Sequence, residues 1–121
     1  MKIMIADDSS MFRERFVSSL SNIAGISSII QASNTDEAIN LFEKEHPGLV
    51  ILDISMPITS GIDVLEQIKN ASPETIVIML TNYSSEQFRK KCADLHADYF
   101  FDKSKEYNDM LDTLISVTSR Q

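Results

Sequence analysis

Five short apolar runs, each followed by an amphipathic stretch of helical length, constrain this chain more than any other feature. The runs are Ile3–Ala6, Ile26–Ala32 with Ile29 and Ile30 at its centre, Leu49–Leu52, Ile76–Leu80 and Tyr99–Phe101. They are continuous rather than alternating, and rich in Ile and Val. A strand that is apolar at every position must be buried on both faces, as in a parallel sheet covered by helices. The stretches between them carry the complementary signal. Apolar residues recur at helical spacing in Phe12, Phe16, Leu20 and Ile23, in Ala38, Ile39 and Phe42, and in Ile62, Leu65 and Ile68. Two further stripes are Phe88, Cys92 and Leu95, then Tyr107, Leu111, Leu114 and Ile115. Asn34-Thr35-Asp36-Glu37 and Ser84-Ser85-Glu86-Gln87 read as capping boxes at helix starts. Gly25, Gly48 and Gly61 fall at breaks, as do Pro47 and Pro73. The pattern predicts an α/β fold of five βα units, an open five-stranded parallel sheet wound with helices on both faces.

Length and charge bound the rest. The 121 residues suffice for one domain, expected to span 1–121 with no linker and no effector domain. A formal net charge of −7 argues against nucleic acid as a direct partner, since phosphate backbones select basic patches. The single cysteine, Cys92, excludes an internal disulfide, and with only His46 and His96 beside it a zinc site is disfavoured. No apolar run approaches the roughly 18–20 residues of a membrane span. The start, Met1 to Asp8, lacks the long apolar region of a signal peptide. The expectation is a whole, cytoplasmic chain with no membrane insertion.

In open parallel sheets ligands bind beyond the carboxyl ends of the strands, where strand order reverses. Asp7 and Asp8 follow the first run, Asp53 the third, Thr81 the fourth, and Asp102-Lys103 the fifth. The second is followed only by Ser33 and Asn34. In a 2-1-3-4-5 order the first and third strands are neighbours, which brings Asp7, Asp8 and Asp53 together. Three clustered carboxylates repel one another, and a hard divalent cation such as Mg²⁺ removes the conflict. Lys103 supplies a further positive charge and Thr81 a hydroxyl donor. Such a set is suited to phosphoryl transfer, with a carboxylate as nucleophile.

These residues resemble the receiver domain of two-component response regulators, the CheY-like variant of the flavodoxin fold with strand order 2-1-3-4-5. The likeness covers essentially the whole chain. It rests on Asp7-Asp8, Asp53-Ile54-Ser55-Met56-Pro57, Leu80-Thr81-Asn82 and Phe100-Phe101-Asp102-Lys103, in that order and at these spacings. The resemblance implies that Asp53 accepts the phosphoryl group. It implies Mg²⁺ held by Asp8 and Asp53, by the backbone carbonyl of Ser55, and by Asp7 through water. Thr81 and Lys103 would grip the phosphoryl oxygens, and Phe100 stands at the aromatic switch position. Ser55 and Tyr83 stand where the family tunes phosphoryl lifetime. The donor would be a sensor histidine kinase or a histidine phosphotransfer domain. Output would come from docking a partner, without turnover of a substrate.

One departure from the family is Ser104, which follows Lys103 where proline is common. A cis bond there would cost about 2.5–4 kcal/mol, so the loop is either trans or strained, and Ser104 is a candidate cap for the last helix. Three rival readings fit the same architecture. A Mg²⁺-dependent hydrolase of the haloacid-dehalogenase type needs an acid two residues after its nucleophile, where this chain has Ser55. A flavin module needs a hydroxyl- and glycine-rich loop after the first strand, where Asp7-Asp8 would repel a phosphate. A partner-docking module without phosphoryl chemistry would be expected to have lost its acids. Taken singly, Asp7-Asp8 reads as a helix cap, Asp53 as a turn former, and Lys103 and Thr81 as ordinary surface and helix-start residues. Cys92 reads as a core residue, the methionines as core filler, and His46 and His96 as surface residues.

Overall fold

The computed structural model describes residues 1–119. Five strands alternate with five helices: β1 (Lys2–Ala6), α1 (Ser10–Leu20), β2 (Ser28–Ala32), α2 (Thr35–Glu45), β3 (Leu49–Leu52), α3 (Gly61–Ala71), β4 (Ile76–Thr81), α4 (Glu86–Asp94), β5 (Tyr99–Asp102) and α5 (Tyr107–Thr118). All strand pairs are parallel, in the order β2-β1-β3-β4-β5. This is the expected 2-1-3-4-5 order. Among the described residues no helix is long and apolar enough to cross a membrane.

The continuous apolar runs have a direct structural cause. Successive strand residues point to opposite faces, and both faces here are covered. Met4, Ala6, Val50, Leu52, Val77 and Met79 pack toward α2, α3 and α4 in one core cluster. Ile3, Ile5, Leu49, Ile51, Ile78 and Leu80 pack toward Phe16 and Leu20 of α1 and Met110 and Leu114 of α5 in the other. The register Ala6↔Leu52 and Thr81↔Asp102 aligns the strand ends, so the residues that follow emerge along one edge.

Several details differ from the sequence pattern. β2 starts at Ser28, and Ile26 packs from the preceding loop. α1 ends at Leu20, so Ile23 reaches the same cluster from beyond the helix. On α5 the buried stripe is Met110, Leu114, Val117 and Thr118, while Ile115 is exposed. Both spacings are helical, and only the angle at which the helix meets the sheet selects between them. Met4, Met56, Met79 and Met110 are core residues, but Met11 is exposed. Asn34 caps α2 by accepting from Glu37 N at 2.8 Å, but Glu37 accepts from Ser33 N rather than completing a box with Asn34. Ser85 caps α4, and a full capping box lies instead at Ser60 and Asp63 on α3. Ser104 does not cap α5. Its hydroxyl donates to Asn82 Oδ1, and Glu106 is the N-cap residue, with no side-chain cap bond.

Lys69 is a buried cation that no periodicity marked. Its Nζ donates to the carbonyls of Pro73 (3.2 Å) and Thr75 (2.6 Å) and to Asp98 Oδ2 (2.8 Å). The same Asp98 oxygen accepts from Val77 N at 2.8 Å. A buried charge is tolerated when paired and hydrogen-bonded, and this one ties α3 to the starts of β4 and β5. Cys92 is fully buried, and burial pushes its thiol up to about 11, which keeps it an inert core residue. His46 and His96 sit past helix ends in left-handed conformations, exposed as expected.

Candidate functional site

The carboxyl edge of the sheet gathers the predicted residues. The Asp7 and Asp53 amides continue the sheet, donating to the carbonyls of Ala32 and Ala6, both at 3.0 Å. Their side chains are then carried just past the strand ends. Both aspartates are buried, whereas Asp8 is exposed. One oxygen from each of Asp7, Asp8 and Asp53 falls within 4.8 Å of the others.

Each buried carboxylate oxygen has a partner. Asp53 Oδ1 accepts from the Thr81 hydroxyl at 2.6 Å and from Ser55 N at 3.2 Å. Asp53 Oδ2 accepts from Lys103 Nζ at 3.0 Å. Lys103 Nζ also donates to Asp7 Oδ2 at 2.5 Å, and Asp7 Oδ1 accepts from Ser9 N at 2.9 Å. The lysine thus bridges the two buried acids, with its own side chain 13% exposed. Thr81 is fully buried, and its oxygen accepts from Tyr83 N at 3.1 Å while its hydroxyl points at Asp53.

Three carboxylates against one ammonium leave two negative charges, which matches a divalent cation. All donors are hard oxygens, and Asp8 lies open to solvent, so the set fits Mg²⁺ with water completing its coordination. The electrostatics agree. Burial raises the Asp7 carboxyl above its ordinary value of 3.8, with Asp53 adding to the rise and Lys103 and Ser9 opposing it. For Lys103, burial alone pulls the ammonium down. The hydrogen bond to Asp7 and the charge of Asp53 outweigh that and hold it above 10.5. A cation raised on folding contributes stability that is full below its unfolded value and is lost as pH rises through its folded value. The stability of the wild type should therefore fall more steeply above pH 10.5 than that of Lys103→Met. Parallel alkaline slopes in thermal melts of the two proteins would refute the pairing.

Other residues set the site up in roles that the sequence pattern did not show. Arg13 donates to the Asp7 carbonyl at 2.5 Å and to Gln31 Oε1 at 3.1 Å, bracing the turn after β1 against β2. Gly61 lies so close under Asp53 that a Cβ there would stand 1.9 Å from its carbonyl oxygen. Asp102 Oδ1 accepts from Ser104 N and Lys105 N, both at 2.9 Å, and its other oxygen accepts from the Ser84 hydroxyl. Ser84 and those amides hold the Asp102 carboxyl below its ordinary range. This Asx turn orients the Lys103 loop. There is no cis peptide bond among the described residues, so the Lys103–Ser104 bond is trans. The Phe12 ring covers Lys103, its centroid 4.1 Å from Nζ.

The remaining predicted residues lie around this centre. Ser55 is exposed and forms a bridge with Ser60. Tyr83 is half exposed and meets Phe88 edge-on. Phe100 is partly buried against the α2–α3–α4 core, with the Arg89 guanidinium 4.8 Å from its ring centroid. Arg89 also pairs with Glu106 at 2.5 Å. Between Asp53 and α3, Ile58 adopts φ 84°, a conformation costly for a β-branched residue. Thr35 holds it from both sides, donating to Pro57 O and accepting from Thr59 N.

The model of the response regulator receiver domain family matches residues 3–115. The chain is 34% identical over 102 residues to a probable transcriptional regulator, ycf27, of Porphyridium aerugineum, covering 84% of this chain and 41% of that protein. It is 33% identical over 85 residues to the autoinducer 1 sensor kinase/phosphatase LuxN of Vibrio campbellii, covering 70% of this chain and 10% of that protein. The chain therefore spans less than half the length of these relatives. Among solved structures, the CheX–CheY–BeF3–Mg complex from Borrelia burgdorferi aligns with a TM-score of 0.84 at 28% identity, covering 97% of this chain and 88% of that one.

Proposed function

Because the chain belongs to the response regulator receiver domain family, we propose that it accepts a phosphoryl group on Asp53 from a phosphohistidine and signals through the resulting change of shape. The observation that carries this reading is the double grip on one carboxylate: Thr81 on Oδ1 and Lys103 on Oδ2. Both donors stand within hydrogen-bond reach of Asp53, close enough to turn toward the oxygens of a group transferred to it.

The donor is a sensor histidine kinase or histidine phosphotransfer domain. Met11, Ile58 and Tyr83 are exposed, follow β1, β3 and β4, and offer such a domain an apolar resting surface beside the acids. An oxygen of Asp53 attacks phosphorus in line. The phosphorus–nitrogen bond breaks, and its electron pair returns to the imidazole. Lys103 and Thr81 donate to the phosphoryl oxygens as charge builds on them. Asp8, Asp53 and the Ser55 carbonyl would hold Mg²⁺, with Asp7 acting through water. When bound, the ion offsets the charge of the transferred group. Hydrolysis of the acyl phosphate restores Asp53, with Ser55 and Tyr83 governing how readily water enters. Ser55 is no proton donor of the hydrolase type, which supports a signalling role without substrate turnover.

The signal is a shift between two conformations, sized by the difference in contacts that the phosphoryl group makes in each. Thr81 follows the new oxygens, and Phe100 moves inward beside it. Phe100 lies under Arg89, which is tied to Glu106, so its movement reshapes the surface of α4, β5 and α5. A partner docking on that surface reads the change. Incubation with phosphoramidate and Mg²⁺ should add the mass of one phosphoryl group, and chelation of Mg²⁺ should prevent it. An unchanged mass in the presence of Mg²⁺ would overturn the reading.

A further inference from the structure

Resting on the assignment of Lys103 to the phosphoryl site, we propose that Phe12 is a positioning residue that holds the Lys103 ammonium in place while its hydrogen bonds are exchanged. Two sides of the ammonium meet carboxylates, Asp7 Oδ2 at 2.5 Å and Asp53 Oδ2 at 3.0 Å. A third side meets the face of the Phe12 ring, 4.1 Å from its centroid. That is well inside the roughly 6 Å reach of a cation–π contact, and desolvation strengthens it. The Lys103 side chain is 13% exposed.

The contact is built rather than incidental. Asp7 Oδ1 accepts from Ser9 N, and the Ser9 hydroxyl accepts from Phe12 N at 3.2 Å as the cap of α1. The helix cap therefore fixes Phe12 one turn beyond the acids. Phe16 and Tyr107 pack against the ring at steep angles, with centroids 5.5 and 6.3 Å away. Asp7, Ser9, Phe12 and Lys103 close a circuit, since Lys103 returns to Asp7.

The circuit matters when Asp53 reacts. One of its oxygens becomes an ester-like oxygen bonded to phosphorus, and its charge is lost to Lys103 as a partner. The ammonium must then turn an N–H toward a phosphoryl oxygen. A carboxylate partner is directional and resists that turn. The ring attracts the cation through its quadrupole with little demand on the orientation of the N–H bonds. Phe12 thus keeps the nitrogen in place while its donors rotate.

Fluorination tests this, because it weakens the ring quadrupole while nearly preserving its shape. Full-length protein carrying 4-fluoro-, 3,5-difluoro- or pentafluorophenylalanine at position 12 is compared with wild type and with Phe12→Leu. The rate of phosphoryl uptake from phosphoramidate at saturating Mg²⁺ is measured beside the melting temperature. The expected result is a stepwise fall with fluorine count, roughly threefold to tenfold in all, at constant melting temperature. The Lys103 ε-methylene protons should also be ring-current shifted in the wild type and lose that shift in Phe12→Leu. A flat series in a protein that is labelled normally would overturn the role of Phe12. A wild type that takes no label would instead overturn the phosphoryl reading. In that case an unshifted Lys103 signal would overturn the contact itself, and a shifted one would sustain it.

Discussion

The Asp53→Asn protein is expected to take no label from phosphoramidate and Mg²⁺, while the wild type gains one phosphoryl group. The amide removes the proposed nucleophile and one of the three clustered carboxylates that could hold a metal ion, but it should leave the fold intact. Its carbonyl oxygen can still accept from Thr81 and Ser55 N, and Lys103 remains paired with Asp7. Loss of label therefore reads as loss of chemistry. Intact mass together with a thermal melt makes the check. Labelling of the variant to the wild-type level would mean that another residue accepts the group.

The second large effect is structural. Gly61 opens α3, and its amide donates to the Ile54 carbonyl at 2.8 Å. A methyl group at Gly61 would stand 1.9 Å from the Asp53 carbonyl oxygen and 2.8 Å from its carbon. Both are backbone atoms of the segment that presents Asp53, so neither can swing aside. Gly61→Ala should cost about 3 kcal/mol, the upper end of overpacking penalties. At this chain length that is a drop of roughly 10 °C in melting temperature. Phosphoryl uptake should fall as well, because relief of the clash moves Asp53 away from Thr81 and Lys103. A Gly61→Ala protein with wild-type melting and wild-type labelling would show that the backbones can part at little cost.

These two positions also illustrate what was legible in advance. Asp53 was readable because it ends an apolar run, and because Asp7, Asp8, Thr81 and Lys103 end others at matching spacing. Gly61 read only as a break between elements. Its closeness to Asp53 depends on where α3 lands against β3, and no local pattern encodes that. The helical stripe marks Phe12 as a packing residue, and it does pack on Phe16 and Tyr107. Its contact with Lys103 joins residues far apart in the chain. The contacts of Arg13, Ser84 and Arg89 with Gln31, Asp102 and Glu106 were silent for the same reason, each spanning 17 residues or more.

The limits of periodicity appear in α5. Both Ile115 and Val117 lie at helical spacing from Leu111 or Leu114, yet Val117 is buried and Ile115 is exposed. The stripe is wide enough to admit either, and the rotation of the helix against β5 chooses. Ser104 makes the same point for caps. It stands where a capping serine would be expected, but Asp102 draws its amide into an Asx turn and Asn82 takes its hydroxyl.

The sequence by itself determined the element order, the parallel sheet buried on both faces, and the edge at which the acids, the hydroxyl and the lysine emerge. Those follow from local rules, since strand and helix periods and strand-end positions are properties of neighbouring residues. Only the tertiary structure decided that one lysine bridges two buried aspartates, that a ring lies over its charge, and that a glycine admits the backbone of Asp53 close against it. Ion pairs, cation–π contacts and close backbone approach act over a few ångströms in space, and separation along the chain does not predict them.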